Sequence, residues 1–285
     1  MRINQIDDAR YKEFCRFLKH QIGITLGGNK QYLVNSRLSR AMFEFDLTDI
    51  NQFVDKVLSN SNKAMTSRAL ECMTTNETLW FRDEFPFKIL SDELLPALAK
   101  KQNKVRIWSA ACSTGQEPYS LAMLLLDYQQ RHMGAFSAGL EVFATDISQK
   151  AIDTAKKGIY DQLAVARGLP SSMRHKYFNK QDDDSFQVNQ TLAQVVSFRQ
   201  ANLKDSYSAF GRFDVIFCRN VLIYFDDETK ASILQKFSAL LPQNGALVLG
   251  ASESITGAER FYTMQKSPLG LYFTASDQLS QRTTR

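Results

Sequence analysis

The sequence predicts an α/β fold that follows an all-helical domain and is interrupted by a small β-subdomain. Between Val105 and Tyr119 a short apolar strand leads into a loop of small residues and then into a helix. Residues 1 to about 75 show only helical spacing, broken at Gly23, at Gly27 to Asn29 and at Asn60 to Asn62. The two patterns therefore indicate two parts of different class.

We expect residues 1–75 to form a helical domain and residues 76–90 a linker. Residues 91–285 are expected to form the α/β domain, with the β-subdomain inserted at about 158–200. Helical spacing in the first domain predicts four helices over Tyr11–Ile22, Lys30–Phe45, Ile50–Ser59 and Ser67–Thr75.

Composition is that of an ordinary soluble globular protein, with 44% apolar residues, 23% charged residues and a net charge of +5. The longest apolar run, Leu121 to Leu126, is too short to span a bilayer. The four cysteines and three histidines are too scattered for a metal site, and the N-terminus lacks a signal-peptide pattern. We therefore expect a cytoplasmic protein that holds no metal and does not insert into membranes.

The loop after the first strand is a candidate ligand site. Ala110 to Gly115 are all small, so the backbone can turn tightly and approach a ligand, and Pro118 suits the start of a helix. In nucleotide-binding α/β units such a loop and helix N-terminus face the ligand. A plain connection is the alternative, since only Gly115 is present of the dinucleotide pattern Gly-x-Gly-x-x-Gly.

Polar residues end two further strands. The segment Leu140–Ile147 contains a strand that ends at Asp146. The carboxylate of Asp146 can accept from both hydroxyls of a ribose or, alternatively, cap the helix that Ser148 precedes. Arg219 and Asn220 follow a buried strand over Phe213–Cys218. We expect these side chains and Glu117 at the same edge of the sheet.

The remaining segments are assigned from their patterns. In the insertion, Ser185–Asn189 and Leu192–Ala201 are expected to pair as a hairpin, with Asp182 to Asp184 as a solvated turn. The end of the chain is expected to form a helix, a strand and a closing antiparallel pair over Thr229–Leu241, Ala246–Leu249, Phe261–Met264 and Leu269–Thr274.

A basic face lies on the second predicted helix. Lys30, Arg37 and Arg40 fall within a sector of roughly 80° beside an apolar stripe. From Phe14 to Phe43 there are five basic residues and no acidic one. The face is either solvated surface or a docking site for an acidic partner or a phosphate backbone.

Three segments together resemble one family. They are Ser-Ala-Ala-Cys-Ser-Thr-Gly-Gln-Glu-Pro-Tyr-Ser at 109–120, Ala-Thr-Asp-Ile at 144–147, and Phe-Asp-Val-Ile-Phe-Cys-Arg-Asn-Val-Leu-Ile-Tyr-Phe at 213–225. They closely resemble the CheR family, the chemotaxis receptor glutamate methyltransferases. The segments at 30–38 and 75–82 are similar to that family too, and the resemblance runs from about Tyr11 to Phe273.

The resemblance implies a Rossmann-like methyltransferase domain that uses S-adenosylmethionine and releases S-adenosylhomocysteine. It implies transfer of the methyl group to receptor glutamates, forming methyl esters in sensory adaptation. It also implies a tyrosine near the transferred methyl, Tyr224, and a set of cofactor-contacting residues: Asn76, Thr78, Arg82, Glu117, Asp146, Asn202, Leu203, Arg219 and Asn220. Gly115 joins this set from its place in the loop.

The implied chemistry needs no general base, because a glutamate carboxylate with a pKa of about 4.3 is already ionised. The enzyme still has to align the acceptor oxygen, the methyl group and the sulfur. We assign Arg82 as the cation that holds the carboxylate and Tyr224 as a hydrogen-bond donor to the acceptor. The alternatives are an ion pair of Arg82 with Asp83 or Glu84, and a core position for Tyr224 beside Phe225.

Two other function classes compete. A nucleic-acid methyltransferase could use the basic helices on phosphates and Asn220 to Tyr224 on a base, although the two prolines typical of amino-group methylases are missing. A non-catalytic cofactor-binding module is expected to lose Arg82 or Tyr224, and both are present.

The expected partners are the methylation helices of chemoreceptors, docked on Lys30, Arg37 and Arg40, with no nucleic acid. Some family members also bind the C-terminal pentapeptide of a receptor as an added strand. Here the corresponding stretch, Asn179–Phe186, has three aspartates and no glycine, so no such tether is expected. We expect a monomer.

Overall fold

The computed structural model describes residues 4–276 and divides into two compact units. The helical unit contains the chain up to Thr75 together with Tyr224–Thr229. The sheet unit contains Asn76–Ile223 and the chain from Lys230 onward. Each unit therefore has its own core.

Four helices form most of the helical unit: α1 (Asp8–Ile22), α2 (Gln31–Glu44), α3 (Ile50–Leu58) and α4 (Lys63–Met73). Side-chain caps set where three of them begin, as predicted for short polar residues at helix starts. Asp7 accepts from the N–H of Arg10 at 2.8 Å, and Asn62 accepts from Met65 at 3.1 Å. Because Asn62 caps α4, that helix begins four residues before the predicted Ser67.

The segment Tyr224–Thr229 belongs to the helical unit through contacts near the end of α1. The N–H of Thr25 donates to the carbonyl of Tyr224 at 2.9 Å, and Ile24 forms a β-bridge with Phe225. Lys19 pairs with Asp226 at 2.6 Å, which holds the pKa of that carboxyl below its usual range. Six residues that are distant in sequence thus complete this unit.

The sheet unit alternates helices and strands after a short helical lead. The lead consists of α5 (Phe85–Ile89), a π-helical turn (Leu90–Leu94) and α6 (Leu95–Leu98). The strands are β1 (Val105–Ala110), β2 (Leu140–Asp146), β3 (Ile159–Tyr160), β4 (Phe178–Lys180), β5 (Phe186–Val188), β6 (Val196–Gln200), β7 (Val215–Cys218), β8 (Ala246–Leu249), β9 (Tyr262–Ser267) and β10 (Gly270–Ala275). The helices are α7 (Gln116–Arg131), α8 (Gln149–Lys157), α9 (Gln162–Ala166), α10 (Ser171–Tyr177) and α11 (Gln190–Ala193), together with α12 (Asp227–Leu240), whose first three residues are assigned to the helical unit.

Seven strands form the main sheet in the order β6-β2-β1-β7-β8-β10-β9. The five from β6 to β8 are parallel, and β10 and β9 close the sheet antiparallel, as predicted. The chain first builds outward from β1 through β2 to β6 and then returns to place β7 on the other side of β1. The carboxyl ends of β1 and β7 are therefore the topological switch point, where such sheets bind ligands.

The predicted hairpin in the insertion is wrong. Phe186–Val188 pairs with Phe178–Lys180 and Ile159–Tyr160 in a separate three-stranded sheet, whereas Val196–Gln200 joins the main sheet parallel to β2. The helix α11 separates the two segments, and Asn189 caps it by accepting from Leu192 at 3.0 Å. A capped helix between two strands leads the chain away from the first strand. The two strands therefore cannot form a tight hairpin.

Trp80 fixes the segment that leads into the sheet unit. Its side chain is fully buried, its indole N–H donates to the carbonyl of Ala164 at 3.1 Å, and its backbone N–H donates to Arg167 at 3.2 Å. Gly168 is packed so closely that an added Cβ would lie 2.3 Å from the Trp80 carbonyl oxygen. Only glycine fits there, and its φ of +93° also favours glycine.

We expect Gly168→Ala to lower the free energy of unfolding more than Gly134→Ala does. Gly134 has a similar φ of +82°, but nothing lies within 4 Å of its added Cβ. The control should cost about 1–2 kcal/mol for the left-handed backbone, and Gly168→Ala about 1–3 kcal/mol more for overpacking. Urea unfolding of both variants measures the difference. Equal losses would mean that the Trp80 contact relaxes freely.

Candidate cofactor site and family

Strained backbone surrounds the switch point. Of the twelve residues other than glycine with positive φ in the described chain, six lie in three loops of the sheet unit. They are Phe81, Asp83, Glu84, Ala111, Ser113 and Asn220. Such conformations cost of order 1–3 kcal/mol each and persist where surrounding contacts impose them. The strain therefore marks the loop after β1, the loop after β7 and the linker as one candidate site.

The loop after β1 is held against β2. Cys112 donates its N–H to the Thr145 carbonyl at 2.9 Å, and Ser113 donates its N–H to Oδ2 of Asp146 at 2.8 Å. Gly115 has a φ of +99°, and an added Cβ would lie 2.9 Å from both Ala155 and the Tyr160 hydroxyl. The absence of a side chain at Gly115 thus serves packing of the loop on the protein itself.

Asp146 lies at the end of β2, buried at 6% exposure. Its Oδ1 accepts the N–H of Ser148 at 2.9 Å while Oδ2 accepts that of Ser113. Burial raises the pKa of this carboxyl, and the backbone donors oppose the shift. Two carboxylate oxygens have about four acceptor positions, so two remain for the hydroxyls of a ribose. The residue that caps α8 is Ser148, whose hydroxyl accepts from the N–H of Ala151.

Arg219 connects three segments at the end of β7. Its side chain is 1% exposed, and its two terminal nitrogens donate to Glu117 at 2.9 Å, to Asp83 at 2.8 Å and to the carbonyl of Arg82 at 2.6 Å. The other oxygen of Glu117 accepts from Ser109 at 2.7 Å. The Nε of Arg219 is buried without a hydrogen-bond partner in the described structure. The N–H on this nitrogen is therefore left without an acceptor from the described protein.

The linker lies beside the loop after β1. The hydroxyl of Ser113 donates to the Asn76 carbonyl at 2.8 Å, and the N–H of Phe81 donates to the Ser120 hydroxyl at 3.2 Å. Arg82 donates to the carbonyl of Glu77 at 3.2 Å. Of its two alternative ion-pair partners, Asp83 pairs with Arg219 and Glu84 with Lys88 at 3.5 Å. Thr78 is half-buried in the same segment.

Asn202 and Leu203 follow β6, the neighbour of β2. The N–H of Ala201 donates to the carbonyl of Asp146 at 2.9 Å, which places this turn directly beside Asp146. Asn202 accepts through Oδ1 from Lys204 at 3.0 Å, and Leu203 is buried at 7% exposure. The structure therefore brings Asp146, Asn202 and Leu203 together, as the resemblance implied but residue patterns alone did not.

Glu253 was absent from the predicted set, although it holds the loop after β7. Its carboxylate accepts four backbone N–H groups, from Asn220 and Val221 at 2.9 Å, from Leu222 at 2.7 Å and from Gly250 at 2.8 Å. The available signal was an acidic residue in a small-residue stretch just after the strand Ala246–Leu249.

Tyr224 belongs to the helical unit, so its predicted place near the transferred methyl stays a prediction. In the same unit Lys30 precedes α2, and the side chain of Arg40 is 87% exposed. Arg37 instead donates to the Met73 carbonyl at 2.6 Å and to the Thr75 hydroxyl at 2.7 Å. The predicted basic face thus contains two exposed cations and one that fastens the end of α4.

The described residues, 4–276, contain no group of three or more His, Cys, Asp or Glu side chains able to hold a metal ion. None of the helices in that range is both long and apolar enough to cross a membrane.

Comparison with known families identifies the chain. Residues 76–270 match the model of the CheR methyltransferase SAM-binding domain, and residues 9–74 match that of the CheR all-alpha domain. The chain belongs to the CheR methyltransferase family. Chemotaxis protein methyltransferase 1 of Vibrio cholerae is 45% identical over 268 residues, which cover 94% of this chain and 97% of that protein. The protein of the same name from Pseudomonas aeruginosa is 40% identical, covering 94% and 98%.

CheR membership settles the class of activity. The chain is a chemotaxis methyltransferase that uses S-adenosylmethionine, and its fold joins an all-helical domain to a methyltransferase sheet. The comparisons give no support to the nucleic-acid alternative. The donor set fits the cofactor, because a buried carboxylate with spare acceptor positions and an unpaired arginine N–H suit a ribose and a carboxylate.

We expect Asp146→Ala to weaken S-adenosylmethionine binding at least about tenfold, or about 1.4 kcal/mol, because the ribose hydroxyls lose a charged acceptor. Asp153→Ala is the matched control, since Asp153 is exposed on α8 and bonds only Gln149 of its own helix. Calorimetry on variants with unchanged thermal unfolding gives the comparison. Unaltered affinity in folded Asp146→Ala would remove Asp146 from the cofactor site.

Proposed function

We propose that this CheR protein methylates glutamate side chains of chemoreceptors in the cytoplasm, as a protein-glutamate O-methyltransferase. The observation that supports this is the state of the carboxylates at the switch point. Glu117 is bound by Ser109 and Arg219, Asp146 accepts two backbone N–H groups, and Glu253 accepts four. All three are committed to holding the site together.

The two histidines of the sheet unit, His132 and His175, do not supply a base at the switch point either. The chain has three. His132 follows the last residue of α7 and stacks on Tyr128, His175 is exposed on α10, and His20 lies in α1 of the helical unit. An amine, alcohol or thiol acceptor must lose a proton on methylation, whereas a carboxylate is ionised at neutral pH. The site therefore suits a carboxylate acceptor.

The proposed reaction moves no proton. S-adenosylmethionine, when bound, supplies an electrophilic methyl group on a positively charged sulfur. With the cofactor bound, transfer to a glutamate oxygen would release the thioether and give a neutral methyl ester, so no proton would have to be moved. The protein's part is to align the acceptor and exclude water.

Arg82 is proposed to hold the acceptor or the cofactor. Its guanidinium uses one terminal nitrogen on the Glu77 carbonyl, so further N–H donors stay available for a carboxylate. The backbone of Arg82 is fixed by Arg219, which donates to its carbonyl. Arg219 itself is too enclosed to meet a protein side chain and is assigned to the cofactor.

The other cofactor contacts follow the arrangement of the loops. Asp146 is proposed to accept from the ribose, with Asn202 and Leu203 beside it. Asn76 and Thr78 approach from the linker, where Ser113 bonds the Asn76 carbonyl. Glu117 and Gly115 shape the site, the first by orienting Arg219 and the second by letting the loop pack closely.

The receptor is proposed to dock on α2. Lys30, Tyr32, Arg40 and Phe43 are exposed on or beside this helix, with Tyr32 at 69% and Phe43 at 48% exposure. Exposed cations with large apolar side chains suit an amphipathic helix that carries glutamates. Arg37 contributes by fastening Met73 and Thr75 and is not itself proposed as a direct contact.

The three-stranded sheet is not proposed to bind a receptor C-terminus. Its turn holds Asp182 to Asp184, all exposed, and Lys180 pairs with Asp184 at 2.6 Å. Asp184 takes a φ of +62° without glycine, stabilised by neighbouring turn contacts such as Ser185 with Asp183. Two aspartates remain to repel a terminal carboxylate.

Incubation with labelled cofactor and either a receptor fragment, nucleic acid or no acceptor tests the function. The proposal requires label on the receptor fragment that alkali releases as methanol, since methyl esters hydrolyse in base. Alkali-stable label would mean a different acceptor atom. Replacing the receptor's methylatable glutamates by alanine is the control.

We expect Tyr224→Phe to lower turnover more than it weakens cofactor binding, because the hydroxyl is proposed to act on the acceptor in the transition state. Tyr128→Phe, near the C-terminal end of α7 and outside the proposed cofactor and docking residues, is the control for loss of a tyrosine hydroxyl. Turnover at saturating cofactor is compared with calorimetric affinity. If both parameters fall together, Tyr224 contacts the cofactor instead.

Reversing the charge of Lys30 and Arg40 should reduce receptor methylation at least about tenfold at low salt, and less as salt rises, while cofactor affinity is kept. Lys56→Glu with Lys63→Glu changes the charge equally on other helices of the unit. Methylation that survives the reversal of Lys30 and Arg40 contradicts docking on α2.

The same assay on a receptor lacking its last five residues should give an unchanged rate. A large loss of methylation on truncation contradicts the absence of a tether.

A further inference from the structure

We propose that Glu253 is a positioning residue for methyl transfer, because its carboxylate sets the backbone of the loop that carries Arg219 and Asn220. The inference rests on the proposed role of Asn220 in cofactor binding. It gives a function to a side chain that the chemistry itself does not use.

The geometry is that of a carboxylate enclosed by backbone donors. Oε2 accepts from Asn220 at 2.9 Å and from Gly250 at 2.8 Å, and Oε1 accepts from Val221 at 2.9 Å and Leu222 at 2.7 Å. Three consecutive N–H groups therefore point to one side chain. Hydrogen bonds from N–H groups to an ionised oxygen are roughly twice as strong as neutral ones, so the three residues are fixed as a unit.

The loop needs such a support. Asn220 has a φ of +58°, a left-handed conformation that asparagine tolerates better than most residues but that is not its preferred one. It directly follows Arg219, whose guanidinium is already fixed by Glu117 and Asp83. With Arg219 held from one side and the next three N–H groups held by Glu253, the direction of the Asn220 side chain is determined.

Gly250 shows how closely Glu253 is packed. An added Cβ at Gly250 would lie 2.7 Å from Oε2 of Glu253, 3.1 Å from the Asn220 nitrogen and 3.2 Å from its side-chain amide. Its φ lies outside the range that favours glycine, so alanine is disfavoured only by these contacts. Gly250→Ala should therefore displace the carboxylate without removing its charge.

Two variants disturb the support in different ways. Glu253→Gln removes the charge and turns an amide donor toward backbone donors, whereas Gly250→Ala keeps the charge and moves it. We expect both to weaken S-adenosylmethionine binding at least about tenfold, which is about 1.4 kcal/mol. Glu259→Gln is the matched control, because Glu259 is exposed and bonds only the N–H of nearby Gly257.

A double-mutant cycle separates positioning from general destabilisation. If Glu253 acts through Asn220, Glu253→Gln in an Asn220→Ala background should weaken binding by less than about threefold, because the orientation it maintains no longer matters. If the role of Glu253 were merely structural, the fold-losses of affinity in the two single variants would multiply in the double variant. Calorimetry of all four proteins, with thermal unfolding alongside, gives the coupling.

The outcomes are distinct. Weakened binding in Glu253→Gln and Gly250→Ala with a non-additive cycle supports the inference. Unchanged binding in either folded variant, or an additive cycle, overturns it. If Glu253→Gln does not fold, Glu253→Asp, which keeps the charge and shortens the side chain, replaces it in the cycle. Unchanged binding in Asn220→Ala refutes the proposed cofactor contact itself, and glutamate methylation is judged separately by the alkali-labile label.

Discussion

The buried guanidinium of Arg219 is the interaction that holds the candidate cofactor site together. A cation with a 1% exposed side chain is stable only when opposite charges and acceptors surround it, because its burial costs several kcal/mol. Glu117 and Asp83 supply the charge and the Arg82 carbonyl a further acceptor. Since these groups come from α7 and the linker, the end of β7 cannot shift without breaking contacts in both. The positions of Arg82 and Asn220 follow from it.

Backbone strain accompanies this network. The linker has left-handed φ values at Phe81, Asp83 and Glu84, and the Trp80 indole, the Ser120 hydroxyl and Arg219 oppose its relaxation. In the loop after β1, Asp146 holds the left-handed backbone of Ser113 in place by accepting its N–H. A site prepared in this way does not have to order its loops when the cofactor binds, and that saving in entropy favours affinity.

The parallel strands allowed the sequence to place several candidate site residues at one edge of the sheet. Asp146 and Arg219 each follow an apolar run, and the ends of such runs meet at one edge of the sheet. The strand Val196–Gln200 was misassigned because its partner β2 is about fifty residues away, and local pattern favoured its neighbour. Glu253 was not predicted because its four partners are backbone N–H groups. Every residue except proline carries one, so such partners cannot be recognised from the sequence. Arg37 was predicted as surface because its acceptors belong to the end of α4.

Neither unit is continuous along the chain, since Tyr224–Thr229 completes the helical unit. The pairing of Lys19 with Asp226 and of Ile24 with Phe225 depends on two segments separated by about two hundred residues. A chimera that exchanged only the first 75 residues between relatives would therefore combine mismatched halves of those contacts. Recombination that keeps the pairing of Lys19 with Asp226 must therefore carry both segments together.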